Sequence, residues 1–341
     1  MKVRQIVFPE PNRAELQTRE SPEFAPDSVV VKTAVSTVSP GTEKANITGN
    51  PNIAGSGAPT TKFPRYLGYS SAGTVVRVGD QVKSVKVGDR VVVMWGFHAD
   101  YNVVPESKVV QIPDEIDFHT AALLLIATFP LAAIRKTRLE IGESLLVMGL
   151  GLLGQFAVRL ARAAGAVPVI AADPVAERRE NARSHGADFA LDPLAPGFAE
   201  AVKDLTRGGV KCGIEVTGVG AGLDETLDCM AKFGRVALLG CTRDKNFTID
   251  YYRKIHAPGI TLIGAHTVAR PEVESAPGWF THRDDILALC DLLRFGRLDF
   301  SDLTRHRHAP EECPAIYADL IANPAFPMAT QFDWEQKGQN E

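Results

Sequence analysis

Apolar residues follow two different patterns along the 341 residues of the chain. Up to about residue 118, short β-branched runs alternate with turns rich in Gly, Pro and Asp, as at 29–35, 72–78 and 90–93. Short strands separated by such turns predict a small barrel or sandwich of antiparallel strands.

From about residue 120 the pattern changes to strands alternating with helices. The predicted elements are a buried apolar helix at 121–134, strands at 144–148, 169–172, 213–216, 236–239 and 260–264, and helices at 154–164 and 176–185. The apolar residues of the 154–164 helix recur at the spacing of one helical face, namely Leu153, Ala157, Leu160, Ala161 and Ala164. This alternation predicts an α/β fold with a parallel sheet covered by helices on both faces. Two more helices are predicted at 283–294 and 311–322.

Charge and cysteine usage narrow the class of protein. Lys and Arg total 37 against 41 for Asp and Glu, with both signs interspersed, so neither nucleic acid nor a membrane is expected as a partner. The five cysteines form no CxxC pair and their number is odd, which favours reduced thiols. The N-terminus lacks the apolar core of a signal peptide, and the run at 121–134 is too short to span a bilayer. We therefore expect a cytoplasmic protein that acts on a small molecule.

A glycine motif marks the start of the 154–164 helix. Gly149, Gly151 and Gly154 form GxGxxG directly after an apolar strand, which is the context of a dinucleotide-binding turn. The first glycine permits the tight turn, the second lets the backbone approach a pyrophosphate, and the third allows the helix to pack closely on the sheet.

The residues around this motif predict which cofactor it binds. The amides of Leu152 and Leu153 at the helix N-terminus are expected to hold the phosphates. Asp173, at the end of the next strand, is expected to accept hydrogen bonds from both ribose hydroxyls and to repel a 2′-phosphate, which favours NAD over NADP. Arg178 and Arg179 weaken this preference because either could turn towards a phosphate.

Taken in order, several segments resemble the medium-chain dehydrogenase/reductase superfamily, the zinc-type alcohol and polyol dehydrogenases. Besides the glycine motif they are GYSSAGTVV (68–76), VGDRV (87–91), ADYNVVP (99–105), HGAD (185–188), EVTG (215–218), FGRV (233–236) and LG (239–240). The resemblance covers nearly the whole chain.

This resemblance implies a domain organisation. Residues 1–122 and 270–341 would form a β-rich, GroES-like barrel that is the catalytic domain, and 123–269 an NAD-binding Rossmann domain with a doubly wound parallel sheet. Thr217 and Gly240 would then contact the cofactor. Substrate would bind in the cleft between the domains, and a homodimer would form through the sheet edge near 260–264.

The same comparison predicts that no metal is bound. Zinc-dependent members carry a cysteine in Cys-Gly-Ser/Thr-Asp and a histidine in Gly-His-Glu, where this chain has Pro40 and Tyr69. Neither residue is a good zinc ligand. No Cys or Glu occurs at 124–130, and the lobe that binds structural zinc is missing because no cysteine precedes Cys212.

Without zinc, side chains must bind the reacting oxygen and move its proton. Tyr69 and Thr42 are the first candidates, with Lys44 as a cation that would depress the pKa of the phenol and His98 as a second acid or base. Each has a structural alternative. Tyr69 could fill the empty metal site by packing, Thr42 could be a turn or capping residue, and His98 could be a histidine of a surface loop.

Three more residues are candidates for substrate binding. They are Glu43, Trp95 and Trp279, the last in a polar loop where it could stack on a sugar-like ring. Glu43 could instead be a structural carboxylate that pairs with Arg or Lys, and Trp279 could lie half buried in an ordinary loop.

The sequence thus predicts a zinc-independent, NAD(H)-dependent oxidoreductase that interconverts an alcohol and a carbonyl on a polar substrate, such as a sugar or polyol. Two alternatives stay open. One is a quinone or enone reductase, although Asp173 disfavours the NADPH that such relatives commonly use. The other is a dinucleotide-binding redox sensor without turnover.

Overall fold

A computed structural model describes residues 1–50, 62–242 and 246–336. The chain forms two compact units: the first contains Met1–Ile126 and Ile286–Glu341, and the second contains Ala127–Asp285. Residues 270–285, which the sequence analysis assigned to the first domain, therefore lie with the second unit.

The strands in the described residues are β1 (Lys2–Phe8), β2 (Glu15–Glu20), β3 (Ser28–Val38), β4 (Arg65–Tyr66), β5 (Ser70–Val78), β6 (Arg90–Met94), β7 (Tyr101–Pro105), β8 (Val109–Gln111), β9 (Leu145–Met148), β10 (Val169–Ala172), β11 (Phe189–Leu191), β12 (Val210–Glu215), β13 (Met230–Leu238), β14 (Thr261–Gly264), β15 (His306–His308) and β16 (Thr330–Asp333).

The α-helices are α1 (Pro40–Ile47), α2 (Phe118–Ala121), α3 (Leu124–Thr137), α4 (Leu152–Ala163), α5 (Ala176–Ser184), α6 (Phe198–Leu205), α7 (Gly220–Asp228), α8 (His282–Arg294) and α9 (Cys313–Ala322). The apolar run predicted as one buried helix forms α2 and α3, and its leucines are fully buried. Across the described ranges, none of the helices combines the length and the apolar character needed to cross a membrane.

The first unit is β-rich, as predicted. Its sheets have the strand orders β2-β1-β4 and β15-β16-β3-β5-β6-β8, with β7 paired to β3. Their pairings are antiparallel except that of β15 with β16. Val29, Val31, Val91 and Val93 pack into one core. Val30 and Val92, which lie between them in β3 and β6, are buried as well, so both faces of these strands are covered here.

The second unit is a parallel sheet with strand order β11-β10-β9-β12-β13-β14. Numbered within the sheet this order is 3-2-1-4-5-6, the doubly wound arrangement in which ligands bind where the order reverses, between β9 and β12. The Rossmann prediction is confirmed. β14 ends this order, and the homodimer predicted through it stays a prediction.

Helix α4 corrects one prediction. Every residue from Gly154 to Ala161 is buried, whereas Leu153 is half-buried and Ala164 is exposed. A single apolar face was expected, but α4 packs on β9 and β10 and also against α5, so the sides of the helix are covered as well.

Candidate active site

The first group of candidate residues surrounds the start of α1. Pro40 occupies the first turn, where its fixed φ and missing N–H are tolerated. The carboxylate of Glu43 turns back and accepts a hydrogen bond from the backbone N–H of Ser39, with Oε1 2.9 Å from the nitrogen. This contact ties the helix start to the strand before it and leaves Thr42 partly exposed.

Tyr69 lies next to this helix start. Its hydroxyl donates to Ser39 Oγ at 2.7 Å, and its ring centroid lies 5.4 Å from that of Trp95. The Trp95 backbone N–H donates to the Tyr69 carbonyl at 2.7 Å, which fixes the two residues side by side. The structure therefore joins the phenol to Ser39, while Lys44, proposed as its cationic partner, lies partly exposed further along α1.

Glu43 is fully buried at 0% exposure, and it receives donors that the sequence analysis did not foresee. Tyr317 donates its hydroxyl to Oε2 at 2.5 Å, and His98 Nε2 lies 3.3 Å from both carboxylate oxygens. The alternative of a structural carboxylate fits these contacts, but the predicted pairing with Arg or Lys is wrong. The partners of the carboxylate are a tyrosine, a histidine and a backbone amide.

His98 is also at 0% exposure, so the interpretation as a surface-loop histidine is wrong. Its Nδ1 lies 2.7 Å from Ser36 Oγ, which also accepts a hydrogen bond from Trp334 Nε1 at 2.9 Å. Trp334, Ser36, His98 and Glu43 thus form one continuous chain of contacts, and His98 acts on the site through Glu43.

Tyr317 makes this buried cluster sensitive to alkaline pH. Burial, and then the charge of Glu43, raise the pKa of the Tyr317 phenol well above its ordinary value of 10.0. Above pH 10 the unfolded chain releases this proton while the folded chain keeps it, so the unfolded state binds fewer protons and the free energy of unfolding falls as pH rises.

We expect Tyr317→Phe to be less stable at pH 7 by about 1.5–3 kcal/mol, the usual value of a hydrogen bond to a charged group. Its free energy of unfolding should also fall less steeply above pH 10, by up to about 1.4 kcal/mol per pH unit. Denaturant titrations between pH 7 and 11 measure both effects. Tyr251→Phe, at an exposed tyrosine, is the matched control. Equal slopes for Tyr317→Phe and the wild type would contradict the assignment.

The glycine motif forms the second group, in the second unit. Gly149 has a φ of +97°, which favours glycine, and a Cβ on Gly154 would lie 1.9 Å from the Gly149 carbonyl oxygen. A Cβ on Gly151 would meet nothing within 4 Å. The structure therefore needs the first and third glycines for its own packing, whereas the second faces open space at the helix N-terminus. These residues fit a dinucleotide, because the amides of Leu152 and Leu153 lie in the first turn of α4, where no intrahelical acceptor is available.

Asp173 holds the glycine loop in place. Its Oδ2 accepts from the Leu150 N–H and its Oδ1 from the Val175 N–H, both at 2.8 Å, and the residue is only 4% exposed. Arg178 Nη1 lies 3.7 Å from Oδ2, while Arg179 donates to the Asp173 and Pro174 carbonyls. The sequence analysis predicted that Asp173 accepts hydrogen bonds from the ribose of the cofactor. The structure adds that the Asp173 carboxylate also fixes the glycine loop through backbone amides.

The loop after β12 meets the glycine loop. Buried Glu215 accepts from the N–H and hydroxyl of Thr217 and from the Gly218 N–H, and burial raises the pKa of Glu215 despite these donors. A Cβ on Gly149 would lie 2.9 Å from Thr217 Cγ2, and one on Gly240 would lie 2.3 Å from the Gly218 nitrogen. The predicted residues Thr217 and Gly240 therefore converge where the strand order reverses.

Trp279 belongs to the second unit and is 45% exposed. Lys136 Nζ lies 4.8 Å from the centroid of its ring, a cation–π contact. A role for Trp279 in substrate binding stays a prediction.

The sequence analysis predicts that Pro40 and Tyr69 stand in place of two metal ligands, and this assignment stays a prediction. Within residues 1–50, 62–242 and 246–336, no three His, Cys, Asp or Glu side chains are grouped so that they could hold a metal ion. The absence of zinc itself stays a prediction.

Comparison with known proteins identifies the family. Residues 153–281 match the zinc-binding dehydrogenase family, and residues 25–114 match the alcohol dehydrogenase GroES-like domain. The L-threonine 3-dehydrogenase of Pyrococcus horikoshii is 30% identical over 280 residues, which cover 72% of this chain and 76% of that protein. The chain belongs to the zinc-type medium-chain dehydrogenase/reductase superfamily.

Two further comparisons agree with this. The D-guloside 3-dehydrogenase of Escherichia coli is 29% identical over 241 residues, which cover 70% of this chain and 68% of that protein. The crystal structure of benzyl alcohol dehydrogenase from Acinetobacter calcoaceticus shares the fold, with a TM-score of 0.83 over 98% of this chain and 99% of that chain at 20% identity. This dehydrogenase is an oxidoreductase that acts on CH–OH groups.

Sequence reasoning missed several side chains around the dehydrogenase's candidate site, namely Ser36, Ser39, Tyr317 and Trp334. Tyr317 and Glu43 are separated by 274 residues, so no local pattern connects them. The position of Ser39 did indicate a possible role, because Ser39 directly precedes the Pro-Gly-Thr-Glu segment. Serine is common at the N-cap of a helix, however, so its position alone did not distinguish it from a capping residue.

Proposed function

We propose that this dehydrogenase interconverts an alcohol and a carbonyl with NAD(H), without zinc, on a polar substrate of the polyol or sugar type. The observation that carries the proposal is the Tyr69 phenol, hydrogen-bonded to Ser39 Oγ at 2.7 Å. The sequence resemblance predicts that Tyr69 stands in place of a metal ligand. A hydroxyl at that point can donate to the oxygen of a substrate, as a metal would otherwise polarise it.

In this proposal the residues of the first unit have three roles: binding the reacting oxygen, exchanging its proton, and positioning the groups that do so. Tyr69 and Thr42, both partly exposed, bind the reacting oxygen, and the phenol exchanges a proton with it. Ser39 supports the phenol by accepting its hydrogen bond, and its own hydroxyl can rotate to donate to the phenolate when the proton has left. Glu43 and His98 hold Ser39 in position from the buried side.

The second unit holds the cofactor. NAD, when bound, supplies or accepts the hydride. The amides of Leu152 and Leu153 would hold its phosphates, and Gly151 would leave room for them. Asp173 supports a preference for NAD, because a buried carboxylate at the end of β10 disfavours a 2′-phosphate nearby. Arg178 weakens this preference, because its guanidinium lies 3.7 Å from that carboxylate and offsets part of its negative charge.

The relatives support a polar substrate. They are named for D-guloside and L-threonine, and both names place the oxidised group at carbon 3 of a compound with several polar groups.

The test is turnover of a panel of polyols and sugars with NAD, before and after dialysis against a chelator, with zinc measured by elemental analysis. We expect turnover to survive the chelator with far less than one zinc per chain. We expect kcat/KM to be at least about tenfold higher with NAD than with NADP, a difference of about 1.4 kcal/mol. Stoichiometric zinc whose removal abolishes turnover would overturn the zinc-independent mechanism, and reduction of quinones alone would overturn the alcohol chemistry.

A further inference from the structure

A guanidinium of the first unit is held close to Thr42. Arg65 Nη1 donates to Asn46 Oδ1 at 2.7 Å, and Asn46 Nδ2 donates to the Thr42 carbonyl at 2.8 Å. Thr42 and Asn46 lie four residues apart on α1 and so share one face of the helix. Arg65 is therefore fixed about one helical turn, roughly 5 Å along the axis, from the level of Thr42.

The other edge of the same guanidinium lacks an acceptor. Nε and Nη2 of Arg65 are shielded from solvent, yet neither has a hydrogen-bond partner within the part of the chain that the structure describes. Among those residues Arg65 forms no ion pair with a carboxylate. The face of its guanidinium lies over the Phe63 ring, with the central carbon 5.3 Å from the ring centroid. Shielded donors of a charged group are costly when unpaired, and the burial lowers the pKa of Arg65.

The unpaired edge has a specific shape. The Nε–H and Nη2–H bonds of an arginine are parallel, and they match two oxygens of one carboxylate or phosphate in a bidentate pair. A water molecule could accept one of these bonds but would leave the positive charge unbalanced. Asn46 takes Nη1 and so leaves this edge as the one available for an anion.

We propose that Arg65 binds an oxyanion of the substrate, a carboxylate or a phosphate, while Thr42 contacts the reacting hydroxyl. This inference rests on the proposed function only in taking Thr42 as that contact. Because Asn46 fixes the distance, the anionic group must lie within a few bonds of the oxidised carbon. The dehydrogenase therefore prefers polyol phosphates or hydroxy acids to the corresponding neutral polyols.

Equilibrium binding tests the anion site without turnover. Calorimetric titration with inorganic phosphate, and separately with acetate, would compare the wild type with Arg65→Met and Arg65→Lys. The matched control is Arg77→Met, because Arg77 also lies over an aromatic ring, 3.7 Å from the centroid of Phe24, as Arg65 does over Phe63. Phosphate that binds at the glycine loop contributes equally to all four proteins, so only the difference between them is assigned to Arg65.

We expect Arg65→Met to weaken binding of at least one anion about 10- to 100-fold, the effect of a lost charge-assisted pair. Arg65→Lys should retain part of the affinity, because it keeps the positive charge but loses the bidentate geometry of the guanidinium. Arg77→Met should bind both anions as the wild type does. The anion that responds identifies the source of the oxyanion. Equal affinities of the wild type and a folded Arg65→Met or Arg65→Lys for both anions would overturn the proposal.

Turnover gives a second readout. We expect the wild type to favour glucitol 6-phosphate or gluconate over glucitol in kcat/KM, and Arg65→Met to lose that preference. If the wild type oxidises polyols with the same preference as Arg65→Met, the anion site is wrong and the proposed function stands. If nothing in the panel is oxidised but the anion affinity depends on Arg65, the proposed function fails and the anion site stands.

Discussion

Tyr69→Phe is expected to lower kcat/KM for alcohol oxidation by about 10²- to 10⁴-fold, the range that a positioned acid or base contributes. The substitution removes the hydroxyl that donates to Ser39 Oγ and leaves the ring that packs beside Trp95. The structural alternative, in which Tyr69 only fills the former metal position, predicts little change, because phenylalanine fills nearly the same volume. Steady-state kinetics with the best substrate of the panel would separate the two.

Two variants make this test specific. Tyr66→Phe is the matched control, since Tyr66 lies three residues earlier and contacts Phe97 and Arg19 instead. Ser39→Ala keeps the phenol but removes its partner, so a smaller loss of kcat is expected, with the alkaline-favoured limb of the pH profile moved to higher pH. Full turnover by Tyr69→Phe would show that another group handles the proton.

Gly151→Ala and Gly154→Ala are expected to fail in different ways. A Cβ on Gly151 meets nothing within 4 Å, so this variant should fold with an unchanged melting temperature. The same Cβ would stand where the pyrophosphate approaches, and an overpacking cost of about 1–3 kcal/mol would weaken NADH binding about 5- to 150-fold. NADH fluorescence titration measures this loss.

Gly154→Ala should instead lose stability. Its Cβ would lie 1.9 Å from the Gly149 carbonyl oxygen, so the helix or the loop must move, at a cost of about 3 kcal/mol or more. Thermal denaturation without cofactor would detect it. Wild-type NADH affinity in Gly151→Ala would contradict the placement of the cofactor across this helix end.

Much of the second unit was predictable because its signals are local. An apolar strand, three glycines and an apolar helix follow one another directly, and the backbone of that segment has few other ways to fold. The parallel sheet followed from the same alternation, whereas the family followed from the resemblance of several ordered segments. The single apolar face assigned to α4 was wrong because burial on its other side depends on α5, and helical spacing cannot report the position of a neighbouring helix.

The site in the first unit was predictable only in part. Tyr69, Thr42, Glu43 and His98 were selected as candidates from their positions in the chain, yet two of their structural alternatives were wrong. The alternative that placed His98 in a surface loop is wrong because His98 is buried. The alternative that paired Glu43 with Arg or Lys is wrong because Tyr317 donates to Glu43 instead. The unpaired edge of Arg65 had no signal at all, since an arginine in a sequence does not reveal which of its donors are satisfied.

The amino-acid sequence by itself determined the fold class and the glycine turn at the start of α4. These features depend on residues close together in the chain, where backbone geometry and periodicity act directly. Only the tertiary structure decided the partners of those residues, joining Glu43 to Tyr317 and His98, Tyr69 to Ser39, and Arg65 to Asn46. Burial and hydrogen bonding between distant segments arise only when strands and helices pack, so these partners cannot be read from the order of residues in the chain.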